Sequence, residues 1–328
     1  MKWFKILLLL LGFFVVVWLL LDTGIANIKQ ELYNLGPWGI LFLLPYIAVY
    51  IFDTLGWKYS FCREIKTPFS LLFHIRLAGE AINYTTPTAY IGGEPVKAYI
   101  LSKKGIPFTH GLASVVIGKF LMTVVEVIFI LIGIEITVST LGKRDSFFTW
   151  LIIFFLIFSV FLFFLLHFQK KGMGKFCVQW VRKIKFLSQA FSSDEAKIQE
   201  FDQILSKYYS KEKLSIALSC VYYFIGWCLG ALEIYILLLL MGYEVTLPTA
   251  IALEAISVAI KGAGGFIPGS IGVQEGGQVW IFALFGYPKS LGLTFGILRR
   301  LREVFWILVG LAFLSKVWKK NTEMEEEK

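Results

Sequence analysis

Long apolar runs separated by short polar turns dominate the chain. Residues 7–21, 37–57, 112–136, 148–168 and 214–241 each read as a nearly continuous apolar stretch. A run of roughly 20 such residues is long enough to cross a bilayer as a helix. A sixth run covers 247–262 and a last one 291–318. The pattern predicts an all-α polytopic membrane protein built as a helical bundle. Residues 22–35 read as a polar loop between the first two spans.

Two stretches break this pattern. Residues 69–84 have helical periodicity, Thr85-Thr-Pro-Thr88 interrupts it, and Gly92-Gly-Glu-Pro95 starts another helix that returns to Lys103-Lys104. A second break runs from Gly262 to Ser270, followed by a short helix over 272–285 and a turn at Gly286-Tyr-Pro288. Backbone outside regular helix is costly in hydrocarbon unless protein or water satisfies it. The breaks therefore predict discontinuous or re-entrant helices around a polar cavity, and their pairing suits an inverted repeat of the transporter kind. At the first break, a re-entrant hairpin from the cytoplasmic side and an amphipathic pair lying on the surface both fit.

Composition supports the membrane reading. The 328 residues are 57% hydrophobic and 17% charged, with a mean hydropathy of +0.71, whereas soluble domains carry about 25% charged residues. The net charge of +9 does not point to nucleic acid. Its basic residues sit beside apolar runs, as in Lys58, Arg63 and Lys66, in Lys170-Lys171, and in Lys316, Lys319 and Lys320. That placement follows the positive-inside rule and suits an anionic leaflet. It puts both termini in the cytoplasm, although Lys143-Arg-Asp145 in an outer turn runs against it. Lys2 and Lys5 front the first run without a clear small-x-small cleavage site, so that run is expected to be a retained span.

Residues 1–320 thus read as one integral membrane domain, with 169–213 as a cytoplasmic helical linker and 321–328 as a disordered acidic tail. Cys62, Cys177, Cys220 and Cys228 have no close metal-ligand spacing, and His74, His110 and His167 fall on different elements. The Gly-rich tracts lack the strand-turn-helix context of a nucleotide loop. No cofactor or metal is expected.

The candidate chemistry is charge at membrane depth, which is expensive and faces a cavity or a partner. Arg76 and Glu80 lie one turn apart before the first break; Glu94 and Pro95 suit a helix start, with Lys97 a turn later. Lys119 with Glu126, and Glu254 with Lys261, are each two turns apart, which fits either bundle-fixing salt bridges or a site. Arg299 and Arg302 share a face, Arg300 diverges, and Glu303 can pair with Arg299. The guanidinium left over would hold a phosphate; the alternative is that these arginines snorkel to headgroups. Asn83, Tyr84, Thr85, Thr86 and Thr88 offer uncharged hydrogen-bonding groups at the first break, and Ser270, Gln274 and Glu275 offer polar groups at the second. Glu275 would take an amino group or a proton. Gly269, Gly272, Gly276 and Gly277 would allow close backbone approach.

Gly79-Glu80-Ala-Ile-Asn83 with Pro87, then Gly92-Gly-Glu-Pro-Val-Lys97 followed by Tyr99, and Pro268-Gly-Ser-Ile-Gly-Val-Gln-Glu275 ahead of Arg299 and Glu303 together form a pattern. Over nearly its whole length the chain resembles the flippase-like membrane family related to the transmembrane domain of lysylphosphatidylglycerol synthases. Two-domain members join a lipid-translocating membrane part to a cytoplasmic aminoacyltransferase that uses lysyl-tRNA. The resemblance implies translocation or binding of an anionic phospholipid, an aminoacyl-phospholipid or a polyprenyl-phosphate lipid in a bacterial inner membrane. Membrane lipids are the implied partners, with a homodimer as a further one. Only Lys316–Lys328 follow the last apolar run, so the transferase domain is expected to be absent. Two alternatives stay open: a lysyl-tRNA-dependent phosphatidylglycerol lysyltransferase, and a lipid sensor or scaffold that moves nothing.

Overall fold

The computed structural model describes residues 2–86, 88, 90–142, 146–174 and 195–326, and among these there is no β-strand. The elements follow from the apolar runs. Helix α1 (Lys2–Thr23) and α2 (Ile25–Leu35) are joined at Gly24, whose φ of 82° turns the chain so that the two helices lie 82° apart. The expected polar loop over 22–35 is thus mostly helix. Its polarity marks one wet face, while Ile28, Glu31 and Leu35 are buried. Glu31 accepts hydrogen bonds from Tyr243 and Ser290, 2.9 Å each, which ties α2 to the far ends of later helices.

A 3-10 segment, Pro37–Leu43, leads into α3 (Leu44–Lys58). Helices α4 (Phe69–Thr85) and α5 (Gly93–Lys103) come next. At 17 and 11 residues and about 1.5 Å per residue, neither reaches across the roughly 30 Å hydrocarbon core. They fold back on each other as a hairpin. A Cβ on Gly93 would lie 1.8 Å from the Gly79 carbonyl oxygen, and one on Gly79 would meet the Lys97 side chain at 2.5 Å. Leu72, Ile75, Val96, Ile100 and Leu101 form the apolar seam below.

Helix α6 (Phe108–Leu141), α7 (Ser146–Lys171) and α9 (Lys213–Leu240) are long and apolar enough to cross a membrane singly, and the bent α1–α2 pair would make a fourth span. Other expected spans are broken up. Residues 37–57 split into the 3-10 segment and a 15-residue helix, and 247–262 form the 17-residue α10 (Leu247–Ala263). After a second 3-10 turn at Pro268–Ser270 come α11 (Val273–Leu284) and α12 (Lys289–Glu326). Helix α12 continues beyond the apolar run through 321–326, where a disordered tail was expected. Helix α8 (Glu195–Lys211) is the described part of the polar linker. It packs through Phe201, Leu205 and Tyr208, and Tyr208 donates to the Tyr59 carbonyl at 2.9 Å. Pro87, the Lys143-Arg-Asp145 turn and the linker from 175 to 194 lie outside the described residues.

Small residues set the helix crossings, as in bundles where backbones approach closely. Gly133 of α6 abuts Ala255 of α10, Gly310 of α12 abuts the Leu77 carbonyl of α4, and Gly292 of α12 abuts the Gln278 carbonyl of α11. Helix α7 turns Phe154, Ile157, Phe161 and Phe164 outward as a lipid-facing ridge. The polar groups are left on the inside.

Candidate functional site

The two breaks meet. Asn83 near the end of α4 accepts from the Gly93 amide at 2.7 Å and donates to Glu94 at 3.3 Å, so one side chain caps the start of α5. Across the junction, the hydroxyls of Tyr90 and Ser270 share a hydrogen bond of 2.6 Å. These are also the non-glycine residues with positive φ among those described, at 59° and 50°. Such backbone is held only where surrounding contacts over-determine it. Lys261 links the same corner: it donates to Tyr84 at 3.1 Å, lies 4.6 Å from the centre of that ring, and pairs with Glu303 at 2.6 Å.

Behind this corner opens a cavity of about 190 Å³, far more than the roughly 10–15 Å³ one water needs. Its wall takes Asn83, Tyr84, Tyr90, Glu94 and Lys97 from the first break, Lys261 and Gly262 from the edge of the second, and Arg299 and Arg302 from α12. Arg76, Glu80 and Lys119 also line it. The structure therefore brings together nine of the expected site residues: Arg76, Glu80, Asn83, Glu94, Lys97, Lys119, Lys261, Arg299 and Arg302.

Ser270, Gln274, Glu275 and Glu303 are not on the wall; they are buried behind it. Glu275 accepts from the Gly272 amide at 2.8 Å and from Arg300 at 2.6 Å. It caps its own helix. Gly269 and Gly272 do need their positive φ, and a Cβ on Gly277 would meet Ile260 at 2.5 Å, but one on Gly276 would meet nothing within 4 Å. The expected close approach at Gly276 is absent because that face of α11 is open.

The arginines of α12 each have carboxylate partners within the protein. Arg299 pairs with Glu254 and lies 3.5 Å from Glu233. Arg302 pairs with Glu233 and stacks 3.4 Å from the centre of the Tyr46 ring. Arg300 reaches Glu275, Glu303 at 3.1 Å and the Gly269 carbonyl at 2.6 Å. Glu303 is thus taken by Lys261 and Arg300 rather than by Arg299. Of the bundle-fixing salt bridges weighed from sequence, those of Glu254 and Lys261 form between helices, to Arg299 and Glu303. The local pairs do form: Arg76–Glu80 at 3.4 Å and Glu94–Lys97 at 2.6 Å. Arg76 also binds Asp53 at 2.6 Å, and Lys97 lies 5.1 Å from the Trp57 ring centre.

Lys119 and Glu126, both on the α6 wall, have no hydrogen bond or ion pair among the described residues. Asp53, Glu233 and the aromatic lining of Tyr46, Trp57 and Tyr223 were missed from sequence. A signal existed for the first two: each is a single carboxylate inside an apolar run, and intramembrane acids are functional or structural partners by default. The aromatics carried none, since Trp and Tyr are common at membrane interfaces.

A family model described as the lysylphosphatidylglycerol synthase TM region matches residues 3–311. Relatives include a UPF0104 membrane protein of Methanocaldococcus jannaschii, 25% identical over 90% of this chain and 89% of its own. Another, from Pyrococcus horikoshii, is 25% identical over 92% of this chain and 93% of its own. A third, from Methanothermobacter thermautotrophicus, is 24% identical over 92% and 91%. These relatives are archaeal, so they support a multi-pass membrane protein but not the expected bacterial inner membrane. No solved structure matches the chain.

Proposed function

The chain belongs to the lysylphosphatidylglycerol synthase transmembrane-region family, and we propose that it carries the headgroup of a phosphate-bearing membrane lipid between leaflets through this cavity. Membership makes it a membrane-embedded protein of flippase-like, lipid-handling character. The reading rests on one observation: a charged hollow lined from both helix breaks lies inside a bundle whose outer ridge is apolar. A headgroup in the hollow with tails left outside keeps each part of an amphiphile in its own solvent. Lys119 lines the hollow with no carboxylate in ion-pair contact among the described residues, so it is the group that would meet the phosphate. The Tyr90–Ser270 contact joins the two broken regions, and its opening would let one side move against the other, as in alternating access.

The test is reconstitution into vesicles holding a phospholipid labelled on its tail, with an outer-leaflet quencher added. Translocation appears as label quenched beyond the half that faces outward. Lys119→Gln is expected to slow it about tenfold, the worth of one charge-assisted hydrogen bond, with thermal unfolding unchanged. A rate equal to that of protein-free vesicles would sink the assignment.

A further inference from the structure

A buried carboxylate lies away from the hollow, at the end of the bundle opposite α8. Helix α9 begins just after α8 and runs from Lys213 to Leu240, so the turn that follows it lies at the far end. There Glu31 of α2 is 5% exposed. Its Oε1 accepts from the Tyr243 hydroxyl in the α9–α10 turn and from the Ser290 hydroxyl on α12, 2.9 Å each. Its Oε2 is buried with no hydrogen-bond partner among the described residues. Among those residues, no lysine or arginine is in ion-pair contact with it either. The charges on the adjoining elements are engaged or exposed: Asp22 and Lys289 pair with each other at 3.4 Å, and Lys29 and Glu244 are exposed. Thr294 is one turn past Ser290 on the same face of α12. It is fully buried, and its hydroxyl has no partner among the described residues.

We propose that Glu31, Tyr243, Ser290 and Thr294 form a site for a monovalent metal cation of the sodium kind, which fastens α2 to α12 and to the α9–α10 turn. The site shares no residue with the hollow, so it stands whether or not lipid moves there. A buried carboxylate surrounded by neutral donors keeps its full charge, and that is costly in a low-dielectric interior. A water on Oε2 would satisfy the oxygen but leave the charge. A cation does both. Hard cations are held by carboxylates and other oxygen ligands, and each of these side chains offers oxygen. Hydroxyls that donate to Oε1 keep lone pairs for a metal. The single carboxylate also selects charge: a monovalent ion leaves the site neutral, whereas a divalent one leaves a buried surplus. The donors come from α2, the α9–α10 turn and α12, segments up to 259 positions apart. A bound ion therefore ties together parts of the chain that sequence keeps far apart.

The test is thermal unfolding of the full chain in detergent, with sodium chloride replaced stepwise by choline chloride at fixed ionic strength. Sodium is expected to raise the wild-type midpoint by about 2–4 °C and to saturate, as binding to the native state alone requires. Glu31→Gln keeps an acceptor for Tyr243 and Ser290 but removes the charge. Its midpoint is expected to ignore sodium and, without sodium, to equal or exceed that of the wild type. Thr294→Val is expected to move half-saturation to about tenfold more sodium. Asp22→Asn, at the exposed pair with Lys289, is expected to leave the response unchanged. A wild-type midpoint indifferent to sodium would overturn the site without any variant having to fold. So would a sodium response that survives Glu31→Gln, or an equal response to magnesium at the same ionic strength. A midpoint that follows pH and not sodium would overturn it too, by making Glu31 a proton site. Radioactive sodium supplies the direct arm: saturable retention by the wild type, lost in Glu31→Gln, is expected, and equal retention by both would count against the assignment.

Discussion

The two helix breaks look alike in sequence, and the structure uses them differently. Each has glycines, a proline and a glutamate at a new helix start. At the first, Asn83, Glu94 and Lys97 look into the hollow. At the second, Gln274 and Glu275 are turned away from it and held by Arg300, Glu303 and the Gly272 amide. One break is a wall; the other is a lock behind the wall. A glutamate at a helix start serves either purpose, since it can cap orphan amides or face a ligand. Which it does depends on the helix opposite, and here that helix is α12 with its arginines.

The sharpest way to break this contrast is to remove a charge from the lock. Glu303→Gln leaves Arg300 with Glu275 as its remaining carboxylate and Lys261 with none in ion-pair contact among the described residues. Removing one partner of a buried ion pair costs about 3–5 kcal/mol, so thermal unfolding in detergent should shift strongly downward. Glu94→Gln at the wall should shift it far less, because Lys97 keeps its place over the Trp57 ring and borders the hollow. Similar shifts for both would erase the distinction.

Gly93→Ala probes the wall by shape. The new methyl would lie 1.8 Å from the Gly79 carbonyl, so α4 and α5 must separate. Overpacking of this kind costs about 1–3 kcal/mol. Translocation should fall further than stability, because Asn83 would lose its bond to the Gly93 amide and the wall would be reshaped. Unfolding and vesicle transport measured on one preparation decide it: transport that survives intact would mean the hairpin is only scaffold.

Much of this was legible in the chain, and the limit has a physical cause. Period and run length placed α6, α7 and α9, because a continuous apolar face needs no partner to declare itself. The breaks were visible through Thr85-Thr-Pro-Thr88 and Gly262–Ser270, since glycine and proline act locally. The pairs Arg76–Glu80 and Glu94–Lys97 were visible for the same reason. Partners across helices were not: Glu254 and Arg299 are 45 residues apart in sequence, and nothing local says that α10 and α12 face each other. The 22–35 segment failed differently. A short helix with one buried stripe resembles a loop in composition, and Glu31 gains its role only from Tyr243 and Ser290.

The joint between the two breaks admits a finer cut. Tyr90→Phe keeps the ring against Tyr84, 5.7 Å between centres, and removes only the hydroxyl that meets Ser270. A hydrogen bond of this kind is worth about 0.5–1.5 kcal/mol net. If the contact holds the joint closed, the variant should leak more between leaflets despite its small stability loss. Hydrogen exchange at 264–272 should rise in parallel; unchanged exchange and unchanged transport would reduce the contact to packing.

Gly276→Ala is the smallest change and inverts the usual expectation for a glycine beside a break. It lies inside α11, where the added methyl meets no atom within 4 Å. Alanine is favoured over glycine in a helix by about 0.5–1 kcal/mol, so the substitution should stabilise slightly and leave transport unchanged. The contrast with Gly93→Ala is then complete: the same chemical change, at glycines that follow a break in the same way, weakens the wall and firms the lock. A destabilised Gly276→Ala variant in thermal unfolding would show that the open face of α11 is covered in the working protein, and the lock would then extend to whatever covers it.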